Sequence, residues 1–149
     1  MTAGEYCNRE IVVTEKNTSI TEAAMLMRNH HVGDLVIVEK QADKTIPTGI
    51  ITDRDLVVEV IAQKVDPDAL SLKDIMSTGL VVVEEKESLL DVLDVMQKKS
   101  VRRIVVVDEQ GSLQGLLSAD DVIELIAEAM TNLTKLVKHE ITREEEKRP

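Results

Sequence analysis

The chain writes one pattern twice. The segment IVVTEKNTSITEAAMLM (11–27) returns 69 residues later as LVVVEEKESLLDVLDVM (80–96). Ile20, Ala23, Ala24 and Met27 fall on Leu89, Val92, Leu93 and Met96. Both sets have the i, i+3, i+4, i+7 spacing that lines one face of a helix with apolar side chains. Ser19 and Ser88 precede the stripes, where a hydroxyl can cap a helix start. The same step carries DLVIVE (34–39) onto RIVVVD (103–108), short β-branched runs that read as buried strands.

The copies then drift apart by three residues. KQADKTIPT (40–48) and EQGSLQ (109–114) read as turns, one through Pro47 and the other through Gly111. GIITDRDL (49–56) and GLLSADDV (115–122) follow, and then helical patterns on Leu56, Val57, Val60, Ile61 and on Val122, Ile123, Ile126, Ala129. Each copy therefore predicts strand–helix–strand–turn–strand–helix. Between them, Asp66-Pro67 breaks the helix and Ser71 caps a short turn ending at Met76. EYC (5–7) reads as the lead-in of the first copy, with Cys7 aligned on Met76 in an apolar contact. Neither copy buries enough surface alone, so the two are expected to pack around a pseudo-twofold axis.

Beyond the second copy, Ile126, Met130, Leu133, Val137 and Ile141 keep a spacing of four and three. The helix is expected to run on. Its stripe either packs back on its own domain or meets the same helix of a second chain. The charge-dense end HEITREEEKRP is expected to fray.

Composition narrows the partners. The core must be aliphatic, because the chain has no Trp, no Phe and one Tyr, Tyr6. A net charge of −10 and the lack of stacking aromatics argue against nucleic acid. Apolar runs such as LVIV (35–38) are too short to span a bilayer. MTAGEYCNRE lacks the basic start and apolar core of a signal peptide, so a cytoplasmic location is expected. Cys7, the single cysteine, allows neither an intrachain disulfide nor a cysteine-based metal site. His30 and His31 are adjacent and would face apart on a helix, so no metal site is expected. No nucleophile–base set is legible, and the chain is not read as an enzyme.

Two such patterns in register resemble a tandem pair of CBS domains, a Bateman module. The resemblance rests on DIMSTGLVVV (74–83), SLLDVLDVM (88–96) and VRRIVVVDEQGSLQGLLSADDV (101–122). In the first copy it rests on VVTEKNTSITEAAMLMRNHHVGDLVIVE (12–39) and GIITDRDL (49–56). It implies an α/β fold of two β-α-β-β-α repeats: domain 1 over 4–64, a linker over 65–76, domain 2 over 77–130 and a helical tail over 131–149. It further implies a regulatory module, a homodimer, and an unknown regulated protein as partner. The implied ligand is an adenosine compound (AMP, ADP, ATP or S-adenosylmethionine) in a cleft between the copies, with magnesium arriving only with ATP. A ligand-free dimerisation module is the alternative.

Thr52-x-x-Asp55 and Ser118-x-x-Asp121 have the form of helix caps: hydroxyl first, acid three residues on. By the resemblance, Asp55 and Asp121 hold ribose, Thr52 and Ser118 lie towards phosphate, and Ile50 and Leu116 line the adenine pocket. Segments Val101-Arg102-Arg103 and Val32-Gly33-Asp34 border the phosphates. Arg54, Arg102 and Arg103 are expected to converge near Thr52, since guanidinium forks suit phosphate. The second cleft, with Val32, Gly33, Leu116, Ser118 and Asp121, is the weaker expectation. There Asp34 and Asp120 would add negative charge where phosphate should sit.

Overall fold

The computed structural model describes residues 1–77 and 79–148; Thr78 and Pro149, the last residue of the expected tail, lie outside them. Its elements are α1 (Ala3–Tyr6), β1 (Val13–Thr14), α2 (Ile20–His30), β2 (Asp34–Gln41), β3 (Lys44–Thr52), α3 (Asp53–Leu56), α4 (Leu72–Ile75), β4 (Val82–Glu84), α5 (Leu89–Lys99), β5 (Arg103–Val107), β6 (Leu113–Ser118) and α6 (Ala119–Lys147). The strands form two three-stranded sheets, β1-β2-β3 and β4-β5-β6. In each sheet the first pair is parallel and joined by a crossover helix, and the second is antiparallel.

The repeat extends to its punctuation. Ser19 and Ser88 accept from the N–H groups of Glu22 and Asp91 at 3.1 and 3.2 Å. His31 and Ser100, again 69 apart, end α2 and α5 in the left-handed region at φ 54° and 53°. Along α2, Ile20, Ala23 and Met27 are buried; along α5, Leu89, Val92 and Met96.

Three aliphatic clusters make the core. One lies under each repeat. The third joins them: Val36 and Val38 of β2 meet Val105 and Val107 of β5, with Leu116 of β6. Period-2 alternation explains the division, because the intervening Leu35, Ile37, Ile104 and Val106 face their own repeat's helices.

The lead-in segments are exchanged between repeats. Ala3 is buried in the core of the second repeat, and the Ala3 and Gly4 amides donate to the carbonyls of Glu87 and Glu85, both at 2.8 Å. Leu72 of α4 is buried in the core of the first, where its amide donates to the Thr18 carbonyl at 2.9 Å. EYC thus precedes the first repeat in sequence but packs on the second. Cys7 and Met76 do hold equivalent places. Cys7 lies over Gly115, which opens the motif of the second repeat, and Met76 lies over Gly49, which opens that of the first.

Several expectations change. The segment 40–48 is mostly strand: the hairpin turns at Ala42, φ 57°, while Pro47 sits inside β3. The register skips Thr48 opposite the step from Ile37 to Val38, and β3 is an edge strand, where a residue without an N–H is accommodated. After α3 the chain widens into a π-helical stretch, Val57–Ile61, so Leu56 and Val60 are buried while Val57 and Ile61 face out. The charge-dense tail is helical to Lys147, consistent with its Glu, Lys and Arg being good helix formers. The α6 stripe does not fold back: every residue over 126–147 is exposed.

Candidate functional site

Both motifs close the helix starts they were expected to close. The Thr52 amide donates to Asp55 Oδ2 at 2.8 Å, and the Asp55 amide donates to Thr52 Oγ1 at 3.2 Å. Ser118 and Asp121 make the same reciprocal pair at 3.4 and 3.1 Å. Each acid spends one carboxylate oxygen on the cap. Among the described residues the other oxygen has no hydrogen-bond partner, which leaves it available to a ligand hydroxyl. Asp55 is half-buried and Asp121 exposed.

Two clefts lie between the repeats, and the repeat step relates them. One, of about 130 Å³, has an apolar wall of Ile50, Leu80, Val81 and Val101, with Ser77, Gly79 and Arg103. The other, of about 180 Å³, has Leu116, Ile11, Val12 and Val32, with Asn8, Glu10, Asp34, Arg103 and the helix start Ser118, Asp120, Asp121. Stepping 69 residues takes Asn8, Glu10, Ile11, Val12 and Val32 onto Ser77, Gly79, Leu80, Val81 and Val101. These segments before β1 and β4 were absent from the sequence-based site. The repeat itself was the signal that could have found them, since a cleft lined by one copy's segment must be matched by one lined by the other's.

Arg103 borders both clefts. Its Nε donates to Asp34 Oδ2 at 2.9 Å. Asp34 is the strand partner of Thr52, and Arg103 that of Ser118. A line Thr52–Asp34–Arg103–Ser118 therefore crosses the axis and connects the two motifs.

The three arginines do not gather at one point. Arg102 turns to its own repeat, where Nη2 donates to Asp120 Oδ1 at 2.8 Å. Arg54 is exposed and, among the described residues, its guanidinium has no ion-pair partner. Arg103 alone of the three lines the cleft beside Ile50. Asp34 and Asp120 are each neutralised by an arginine, so they do not act as unopposed charges at the second cleft. Gly33 is packed close to α3: its carbonyl accepts from the Asp53 amide at 2.9 Å, and a Cβ there would lie 3.2 Å from Asp53 Oδ2.

The clefts remain unlike in charge. The second carries Glu10 where the first has Gly79. The first is the better surroundings for an anion.

Two three-stranded units, joined back to back with a pair of repeat-related clefts at the seam, define a tandem two-repeat module. The chain belongs to the CBS domain family, whose model matches it twice, over residues 3–62 and 72–128. A protein of Methanopyrus kandleri is 34% identical over 125 residues, covering 84% of this chain and 62% of that protein. The CBS domain-containing protein YhcV of Bacillus subtilis is 32% identical over 131 residues, covering 84% of this chain and 89% of that one. Among solved structures, the CBS domain protein PAE2072 from Pyrobaculum aerophilum, complexed with AMP, superposes with a TM-score of 0.71 at 25% identity, covering 81% of this chain and 89% of that one. No helix among the described residues is long and apolar enough to cross a membrane.

Proposed function

We propose that this CBS pair senses an adenosine compound in the clefts between its repeats and passes the result to a partner protein. The observation that carries the reading is the paired construction of the clefts. Each has an aliphatic wall of the kind a flat ring packs against. At the end of the strand carrying Ile50 or Leu116 stands a capped helix start with a spare carboxylate oxygen, and Arg103 lies between. Support also comes from the Pyrobaculum aerophilum relative, whose structure holds AMP.

In the first cleft, adenine packs between Ile50 and Val101, Asp55 accepts from ribose hydroxyls, and Thr52, Arg54 and Arg103 face the phosphate. Arg102 is committed to Asp120 and lies outside this set. In the second cleft, Leu116 and Val32 take the ring and Asp121 the ribose. Gly33 keeps the segment beside it close to α3. Glu10 makes that cleft the poorer one for phosphate. Ligand bound across the seam ties the repeats together, and it shifts the module only as far as it binds one arrangement better than another.

A second reading, a ligand-free dimerisation module, draws on the cleft volumes. At 130 and 180 Å³ they fall short of the roughly 300 Å³ at which small-molecule pockets begin. Under the sensor reading the seam opens on binding. Calorimetric titration of AMP, ATP and S-adenosylmethionine into the wild type and into Asp55→Ala separates the two. The sensor binds at least one of them, and Asp55→Ala weakens it on the order of tenfold or more, the worth of a charged hydrogen bond. Absence of heat with all three ligands would leave the dimerisation module standing.

A further inference from the structure

We infer that residues 2–10 form a strap that opens from the second repeat as a unit, is fastened by Arg9, and is held closed by a ligand in the cleft beside Leu116. The ligand part of this inference rests on the adenosine reading of that cleft; the opening does not.

The two exchanged lead-ins are fixed by the same backbone bonds but by unequal side chains. The amides of Ala3, Gly4 and Leu89 donate to the carbonyls of Glu87, Glu85 and Met1 at 2.8, 2.8 and 3.2 Å. Related by the 69-residue step, the amides of Leu72, Lys73 and Ile20 donate to Thr18, Lys16 and Leu70 at 2.9, 3.0 and 3.3 Å. The apolar anchors differ. Leu70, Leu72, Ile75 and Met76 all pack in the core of the first repeat. At the equivalent positions Met1 and Tyr6 are exposed, and only Ala3 and Cys7 pack on the second. Where leucine buries an isobutyl group, alanine buries a methyl, so the strap is held by less apolar burial than its counterpart. Its helix, α1, has four residues and cannot keep its shape without contacts. A segment with full backbone bonding but little apolar anchoring belongs to the low-stability end of a fold.

Arg9 supplies what the apolar side chains do not. Its Nη2 donates to the Gly4 carbonyl at 2.8 Å and lies 3.6 Å from Glu85 Oε2. Its Nη1 donates to Gln114 Oε1 at 3.2 Å. One guanidinium thus ties α1 to β6 and to the chain leaving β4. The residues on either side of Arg9 serve the cleft: Asn8 and Glu10 line it. Asn8 also exchanges both backbone hydrogen bonds with Leu116, at 2.9 and 3.0 Å. One wall of this cleft is therefore strap. When the strap lifts, the wall goes with it. A ligand there binds the closed form and draws the population towards it. The matching wall of the cleft beside Ile50 follows α4, whose apolar anchors hold it, so this response belongs to one cleft only.

Modification of Cys7 by a disulfide reagent reads the opening. The thiol is half-buried over Gly115 and is the only one in the chain. Its rate in the full chain is expected to change little with urea well below the unfolding midpoint, as opening of a small segment requires. Arg9→Ala should speed it about fivefold or more, the reach of a charge-assisted hydrogen bond in partial contact with water. Burial raises the thiol's pKa and the Arg9 guanidinium partly offsets this, so losing Arg9 by itself would slow the reaction rather than speed it. Ala3→Gly, which removes the buried methyl and adds no bulk, should act in the same direction. Amide exchange at Ala3 and Gly4 should be at least about tenfold faster than at Leu72 and Lys73, and Arg9→Ala should raise it at the first pair alone. S-adenosylmethionine at about a hundred times its calorimetric Kd should slow the Cys7 reaction at least about tenfold. Asp121→Ala, in the same cleft, should cancel that slowing. A wild-type rate that follows global unfolding overturns the strap, and so does a rate that Arg9→Ala leaves unchanged. Binding that is lost on Asp121→Ala but does not slow Cys7 overturns the coupling. Absence of binding overturns the adenosine reading and the coupling with it, while the ligand-free rates still decide the opening.

Discussion

Asp34 and Arg103 occupy the same place in the two repeats, and they bond to each other across the axis at 2.9 Å. A perfect repeat would set two identical charges face to face here. The sequence departs from its own symmetry at this position, and the departure converts a repulsion into an attraction. The side chains are 26% and 42% exposed, so solvent screens the pair only in part. Asp34→Arg removes the attraction and adds a repulsion, each about 0.5–1 kcal/mol for a pair of this exposure. The expected loss is about 1–2 kcal/mol in urea unfolding. Asp34→Arg combined with Arg103→Asp should recover most of it, and raising the salt should shrink all the differences. A double variant no more stable than Asp34→Arg alone would show that the pair does not couple the repeats.

The glycines that open the two motifs are explained by the exchanged lead-ins. A Cβ on Gly49 would come 2.7 Å from Met76 Cε, the tip of a flexible side chain. A Cβ on Gly115 would come 2.6 Å from Cys7 Sγ and 2.7 Å from the Asn8 carbonyl oxygen. That oxygen belongs to a backbone bridge in which Asn8 and Leu116 exchange both hydrogen bonds, at 2.9 and 3.0 Å. Methionine can swing away, but the bridge cannot. Gly115→Ala should therefore cost about 2–3 kcal/mol and Gly49→Ala about 1 kcal/mol or less, the range for overpacking. Adding Met76→Leu should relieve part of the smaller loss. Denaturant midpoints at a constant slope give the comparison, and equal costs at the two glycines would contradict it.

Cys7 offers a pH test of the same contact. Burial pushes its thiol above the ordinary value, and the nearby Arg9 guanidinium only partly offsets this. The folded chain thus holds the proton longer than the unfolded chain does. The contribution to stability is full below the unfolded thiol's pKa and is lost as the pH rises through the folded one. Titrating the thiol with a disulfide reagent should place its inflection at higher pH in the native protein than in urea. Cys7→Ser should flatten the alkaline limb of the stability curve. A native inflection at or below the unfolded one would place Cys7 in water rather than against Gly115.

Most of the fold could be read because the helices and strands each repeat a period. The stripe of Ile20, Ala23 and Met27 and the run Leu35 to Val38 announce themselves, and the second copy repeats the announcement. The exchange of α1 and α4 could not be read, since four residues carry no period and their partners lie in the other repeat. Pro47 misled because a proline is equally at home in a turn and at a bulge on an edge strand. At the site, the caps Thr52–Asp55 and Ser118–Asp121 were legible because they are local. The bond from Arg102 to Asp120 and that from Arg103 to Asp34 were not, because side-chain direction is settled only when the sheets pack.

Arg103 borders both clefts, so under the sensor reading the two cannot bind anions independently. A phosphate in the cleft beside Ile50 draws the guanidinium away from Asp34. The freed Asp34 carboxylate then joins Glu10 and Asp121 at the other cleft. A second AMP is repelled there, whereas S-adenosylmethionine, with its sulfonium charge, is not. Coupling free energies of this kind run to about 1–3 kcal/mol, so the second AMP should bind at least about fivefold more weakly than the first. The coupling is reciprocal, and filling the second cleft with S-adenosylmethionine should leave AMP affinity at the first unchanged or raised. Arg103→Ala should weaken the first AMP and uncouple the two clefts, leaving between them only the standing difference in acidic side chains. Two-site calorimetry reads all of these. Two equal and independent AMP sites in the wild type would sink the coupling while leaving adenosine binding intact.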